Sequence, residues 1–272
     1  MTAPGASFRQ RVRAGDVLLG TFLQLGSPVA TEIAAQAGFD WLLVDLEHGA
    51  GSEATLLADL QAMSASSVGA LVRVEVGERL RIGRALDAGA NGVMVPRIVS
   101  AEQAAEVARF LRYPPQGVRG VALGTRSAGF GRVAVGDVSS LNDNVVGVLQ
   151  IETLQSVEAV DAIAAIDGVD VLFIGPSDLS VALGVPGQLE HPRFRDALER
   201  IRAAARAHGK TVGTLLRNAQ EVEAALRDGI TFIGISSEAS VLANAIRGVA
   251  RDARVALEHG YSQLPPSLDG DT

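Results

Sequence analysis

WLLVDLEHG, residues 41–49, changes character halfway along. Trp41, Leu42, Leu43 and Val44 form an unbroken apolar run, as expected of a strand covered on both faces. Asp45, Glu47 and His48 then crowd into four positions, and Gly49 breaks the element. A strand built for a core that ends in ionisable groups points to a parallel sheet whose C-terminal strand ends carry a site.

The unit recurs along the chain. Strand-like apolar runs occur at residues 18–23, 41–46, 70–74, 92–95, 145–151, 171–174, 211–216 and 232–235. Helical patterns lie between them. Residues 27–37 open with Ser27-Pro28, a cap followed by proline at the first helical position. Residues 77–88 stop before Gly89. Residues 100–111 begin S-A-E-Q, a capping box in form. The others are 52–63, 156–166, 192–208, 219–227 and a long closing helix at 237–258. Strands that alternate with helices over about 250 residues predict a (β/α)8 TIM barrel. An open doubly wound sheet would carry a Gly-rich phosphate loop after its first strand, whereas here that strand runs into QLGSPVA. The expectation is one barrel domain over residues 1–260 and a flexible tail over 261–272. The longest irregular stretch, residues 113–144, is rich in Gly and Arg; a loop of that length is usually functional or disordered.

The bulk properties narrow the chemistry. The net charge of −7 offers no basic footprint for nucleic acid. There is no cysteine, so thiol nucleophiles, disulfides and thiolate metal sites are excluded. No apolar run approaches the roughly 18 residues of a membrane span, and the N-terminus has no signal-peptide core. A cytoplasmic protein is expected. Lys210 is the single lysine, so a Schiff-base mechanism stands or falls on it.

The polar residues at the predicted strand ends form a coherent set. Glu152 and Asp178 end adjacent strands, and two converging carboxylates with water and substrate oxygens suit Mg2+, Mn2+ or Co2+. The structural alternative is a helix cap for Asp178 and a surface ion pair for Glu152. Gly175-Pro176-Ser177-Asp178 forms a candidate anion cradle, with donors from the N–H groups of Ser177, Asp178 and Leu179. Arg73 lies in an apolar strand, either as half of a structural salt bridge or as a fixed cation for developing negative charge. His48 is the natural proton carrier. Together these groups can hold a 2-oxo acid, stabilise its enolate and move a proton. That is the chemistry of aldol cleavage or addition, or of proton exchange beside a carbonyl.

The stretches GFDWLLVDLEHG, LVRV, LDAGANGVMVPR, RYPPQGVRGV, VLQIET and GVDVLFIGPSDLS resemble the metal-dependent (class II) pyruvate aldolases of the HpcH/HpaI family. This is the group related to 4-hydroxy-2-oxoheptanedioate and 2-dehydro-3-deoxyglucarate aldolases. The resemblance implies reversible cleavage of a 4-hydroxy-2-oxo acid to pyruvate and an aldehyde. It implies His48 as proton acceptor, Arg73 as enolate stabiliser, and Glu152 and Asp178 as metal ligands. Gln150 and the backbone at Ser177 and Asp178 would touch pyruvate. Asp87 would raise the basicity of the histidine. The helical pattern places Asp87 on the face opposite the strand ends, so that role requires another boundary or a contact across a subunit interface. A homohexamer with exchanged C-terminal helices is implied as well. Phe22 stands where some relatives have tryptophan, and Ser177 where others have alanine, which leaves the aldehyde open. The competing enzyme is an acyl-CoA lyase of the citrate or malyl-CoA type, with the arginine-rich segment 112–132 as room for a CoA site.

Overall fold

Strand parity organises the molecule. In a computed structural model, which describes residues 6–262, Trp41 and Leu43 enter one apolar cluster while Leu42 and Val44 enter another. Successive strand residues face opposite ways, so the first cluster fills the inside of a barrel and the second lies between the barrel and its helices. The eight strands are β1 (Leu18–Leu23), β2 (Trp41–Asp45), β3 (Gly69–Arg73), β4 (Gly92–Val95), β5 (Val146–Ile151), β6 (Val171–Ile174), β7 (Thr211–Leu216) and β8 (Phe232–Ser237). All neighbours are parallel and the sheet closes in sequence order from β1 round to β8. This is the (β/α)8 barrel that the alternation of runs predicts.

The interior is aromatic. Trp41 stacks on Phe232 with ring centroids 4.5 Å apart, and Phe22 meets Trp41 edge-on at 6.2 Å. Room for the indole comes from Gly20, where any Cβ would collide with the Trp41 ring. A helix absent from the sequence reading, Phe8–Arg13, closes the N-terminal end of the barrel. Its Val12 joins the interior cluster and its Phe8 packs against Phe232 at 6.4 Å. Arg9 is buried there and clamps Asp170, with Nε donating to Oδ2 at 3.0 Å and a terminal nitrogen to Oδ1 at 3.0 Å.

Several boundaries shift. The 156–166 helix divides into Leu154–Glu158 and Val160–Ala164. A seven-residue helix, Pro176–Ala182, follows β6 directly. The closing helix spans Glu238–Ser262, so it continues into the start of the expected tail. Residues 263–272 of that tail lie outside the described residues. The 113–144 segment is largely structured, with 3-10 turns at Arg126–Ala128 and Val135–Asn144. Buried Asn142 fastens it by accepting from Tyr113 N at 2.7 Å and donating to Tyr113 O at 3.0 Å. No helix among the described residues is long and apolar enough to cross a membrane.

Candidate active site

The inward parity of the strands continues past the core. In β2 the series Trp41, Leu43 leads to Asp45; in β3 Leu71 leads to Arg73; in β5 Val148 leads to Gln150. The polar groups are the next inward positions at the C-terminal rim. Asp45 and Arg73 are paired residues in the β2–β3 register. Arg73 Nε donates to Asp45 Oδ1 at 2.9 Å, and its NH2 nitrogen donates to Oδ2 at 2.7 Å. This bidentate fork fixes the plane of the guanidinium. Phe22 supports it, with its ring centroid 5.2 Å from the central carbon of Arg73. The remaining nitrogen, NH1, faces Glu47 Oε2 at 3.2 Å and Gln150 Oε1 at 3.4 Å.

Asp45 is completely buried. Burial alone would raise its pKa. The hydrogen bonds and charge of Arg73 outweigh that, helped by the Gln24 amide and the His48 backbone, and the carboxyl lies below its ordinary range. Asp45 Oδ1 also accepts from the backbone N–H groups of Glu47 and His48, at 3.1 and 3.2 Å. One carboxylate therefore holds both the cation and the turn that carries the histidine. The His48 side chain is 62% exposed, with Nε2 at 3.8 Å from Glu47 Oε2. Burial raises the pKa of Glu47, against the lowering influence of Arg73 and His48.

Gln150 joins the two halves of the site. Its Oε1 accepts from Arg73, and its Nε2 donates to Glu152 Oε2 at 2.9 Å. Glu152 Oε1 accepts from the backbone N–H of Arg97 at 2.8 Å, and Arg97 takes a left-handed φ of 52°. The carboxylate of Glu152 lies behind Gly175, where any Cβ would collide with Oε2. Burial raises the pKa of Glu152, and the negative charges of Asp178 and Glu47 add to the rise. Asp178 lies in the first turn of the Pro176–Ala182 helix but does not cap it: Gly175 occupies that place. Among the described residues its carboxylate makes no hydrogen bond or ion pair. An exposed carboxylate without a partner, beside a buried one that resists ionisation, is a donor set that a divalent cation fits. No cluster of three or more His, Cys, Asp or Glu ligands occurs among the described residues. The protein would supply two carboxylates, leaving the other positions to water and substrate.

A cavity of about 1020 Å³ opens over these groups, and Phe22, Gln24, His48, Arg73, Gln150 and Asp178 line it. Ser177 lines it too. Of the three N–H groups expected in the cradle, that of Leu179 is used within the chain, donating to Gly175 O at 2.9 Å. Asp87 is elsewhere in this chain. It ends the Arg79–Asp87 helix and accepts from Arg119 at 2.7 Å. Lys210 lies just before β7, at the N-terminal end of the barrel, and its Nζ donates to Ile166 O at 3.0 Å. Three guanidiniums of the 112–132 segment are committed within the fold. Arg112 lies 3.7 Å from Asp170, Arg119 pairs with Asp87, and Arg126 donates to Leu60 O at 3.4 Å.

From the sequence, Asp45 and Glu47 have no sharper role than orienting His48 or holding metal-bound water, and Gln24 has none. A buried arginine needs a counter-ion, and counting inward positions from Trp41 would have led to Asp45. Gln24 lies two positions beyond Phe22, on the same parity.

Residues 18–245 match the model of the HpcH/HpaI aldolase/citrate lyase family. The chain is 39% identical over 243 residues to a 5-keto-4-deoxy-D-glucarate aldolase of Klebsiella pneumoniae, covering 89% of this chain and 94% of that one. It is 35% identical to a hydroxypyruvate/pyruvate aldolase of Agrobacterium fabrum over 99% of this chain and 100% of the relative. Among solved structures, an HpcH/HpaI aldolase/citrate lyase family protein from Burkholderia cenocepacia superposes with a TM-score of 0.85 at 36% identity, covering 90% of this chain and 98% of that one.

Proposed function

The chain belongs to the HpcH/HpaI aldolase/citrate lyase family and is an aldolase; from that premise we propose that it cleaves a 4-hydroxy-2-oxo acid reversibly to pyruvate and an aldehyde. The observation that carries this reading is the convergence at one rim of an oriented guanidinium, an accessible imidazole and two carboxylates suited to a cation. Glu152 and Asp178 would hold a divalent metal ion, Mg2+, Mn2+ or Co2+. When bound, it supplies Lewis acidity toward the keto oxygen of the 2-oxo acid.

His48 accepts the proton of the C4 hydroxyl. The C4–O bond becomes the aldehyde carbonyl, the C3–C4 bond breaks, and its electron pair moves into the C2 carbonyl to form the pyruvate enolate. Arg73 stabilises the enolate oxygen through NH1, the nitrogen that Asp45 leaves unengaged. The proton returns at C3 to give the methyl group. Gln150 and the N–H groups of Ser177 and Asp178 orient the pyruvate end. Asp87 would act on a histidine only across a subunit interface, since in its own chain it is paired with Arg119. A homohexamer is the assembly that the family resemblance suggests, and the cytoplasm is its expected location. The acyl-CoA lyase reading is weakened, because three of the four arginines of that segment, Arg112, Arg119 and Arg126, are committed within the fold.

The test is pyruvate in D2O with metal-stripped protein, followed by NMR of the methyl signal. Exchange should appear on adding Mg2+, Mn2+ or Co2+, stop with chelator, persist in Lys210→Ala and vanish in His48→Ala. Absence of exchange with every metal would sink the pyruvate reading.

A further inference from the structure

Gln24 is held at its backbone N–H, its backbone carbonyl and its side-chain Nε2. Its backbone N–H donates to both carboxylate oxygens of Glu238, at 2.6 and 2.8 Å. Its carbonyl accepts from Ala50 N at 2.7 Å. Its side-chain Nε2 donates to Asp45 Oδ2 at 2.9 Å. Glu238 is the first residue of the closing helix, and it also accepts from Leu25 N at 2.8 Å. A carboxylate that receives several N–H bonds forms charge-assisted contacts, roughly twice as strong as neutral ones.

The contacts run in one direction across the seam where β1 meets β8. Glu238 fixes the backbone of residues 24 and 25. The Gln24 amide then meets Asp45 at Oδ2, the oxygen that also receives the NH2 nitrogen of Arg73. The Gln24 carbonyl holds Ala50, at the far end of the turn that carries Glu47 and His48. Without the amide, Oδ2 keeps a single partner, the NH2 nitrogen of Arg73, so Gln24 gives the carboxylate a tether on that side that does not depend on the guanidinium. Gln24 lines the cavity, whereas Glu238 lies outside its lining. Its bonds to the Gln24 backbone are the contacts that lead toward Asp45.

We propose that Glu238 and Gln24 are positioning residues which hold the Asp45–Arg73 fork in its working geometry, coupling the start of the C-terminal helix to the enolate-stabilising cation. The proposal rests on the reading of Arg73 given above. Small misplacements of such a group are costly: about 1 Å can lower a rate by about 100-fold.

The experiment measures pyruvate methyl exchange in D2O under saturating Mn2+, as a function of pyruvate concentration. Gln24→Met keeps the length of the side chain and removes the donor. Glu238→Gln keeps one acceptor oxygen and removes the charge. Each should lower kcat by about 10-fold, with KM for pyruvate changed by less than about 2-fold. In an Arg73→Lys background each should cost less than about 2-fold, because the fork they position is gone. A purely structural role would predict equal losses in both backgrounds, and that result would overturn the proposal. Parental kcat in both single variants would overturn it as well. If Arg73→Lys alone exchanges at the parental rate, the reading of Arg73 itself fails, and that arm of the experiment shows it separately.

Discussion

Arg73 has three guanidinium nitrogens, and Asp45 takes two of them. The fork fixes the plane of the guanidinium and leaves its third nitrogen to Glu47 and Gln150 at the rim. Lysine carries the charge without the fork. Asp45→Asn tests the other half of the pair. Asp45 has a depressed pKa in the folded protein, so its stabilising contribution is present above the ordinary carboxyl value of 3.8 and is lost as pH falls through the folded value. At pH 7 the substitution should cost about 3 kcal/mol in chemical denaturation, because it removes the bidentate charge partner of a buried guanidinium and leaves only Glu47 beside it. Below pH 3.8 the gap from the parent should narrow. A gap of the same size at pH 3 and pH 7 would mean that the charge on Asp45 contributes nothing.

Between β6 and its short helix, a single small residue makes room for the Glu152 carboxylate beside Asp178. Gly175 has φ −87°, a conformation open to any residue, so its value here is the absent Cβ. A side chain at this position would meet Glu152 Oε2. Gly175→Ala should leave the fold intact and weaken Mn2+ binding by about 10- to 100-fold, the range seen when the support of a metal ligand is disturbed. Isothermal titration would measure it. Unchanged affinity would show that Glu152 is not a ligand in this pose. Much of this element was legible beforehand. GPSD at the end of an apolar run predicts a loop-to-helix junction with an acid nearby, and both are present. The commitment of Leu179 N–H to Gly175 O was not legible, because the spacing does not say at which residue the helix after β6 begins.

At the scale of the whole barrel, stability and chemistry occupy opposite ends. Arg9 and Asp170 are both about 95% buried beneath the barrel floor, tied by the Phe8–Arg13 helix. Removing one partner of such a pair typically costs about 3–5 kcal/mol. Arg9→Ala should show a loss of that order in denaturant titrations, with exchange kcat per folded molecule unchanged, since conservation of activity is expected of changes at the N-terminal face. A large fall in kcat would show that the floor of the barrel communicates with its rim.

The order of elements, the closed parallel barrel and the rim positions of His48, Arg73, Gln150, Glu152 and Asp178 could all be derived from local pattern. The physical reason is that strand parity and apolar periodicity are local properties, repeated eight times with the same outcome. Partnership is not local. Arg9 with Asp170, Arg119 with Asp87, and Glu238 with Gln24 are separated by 161, 32 and 214 positions. Nothing in the spacing of charges along a chain says which distant group will meet which. Closure of β1 against β8 brings Glu238 onto Gln24, and the packing of side chains around Asp45 gives that acid the orientation of the Arg73 guanidinium.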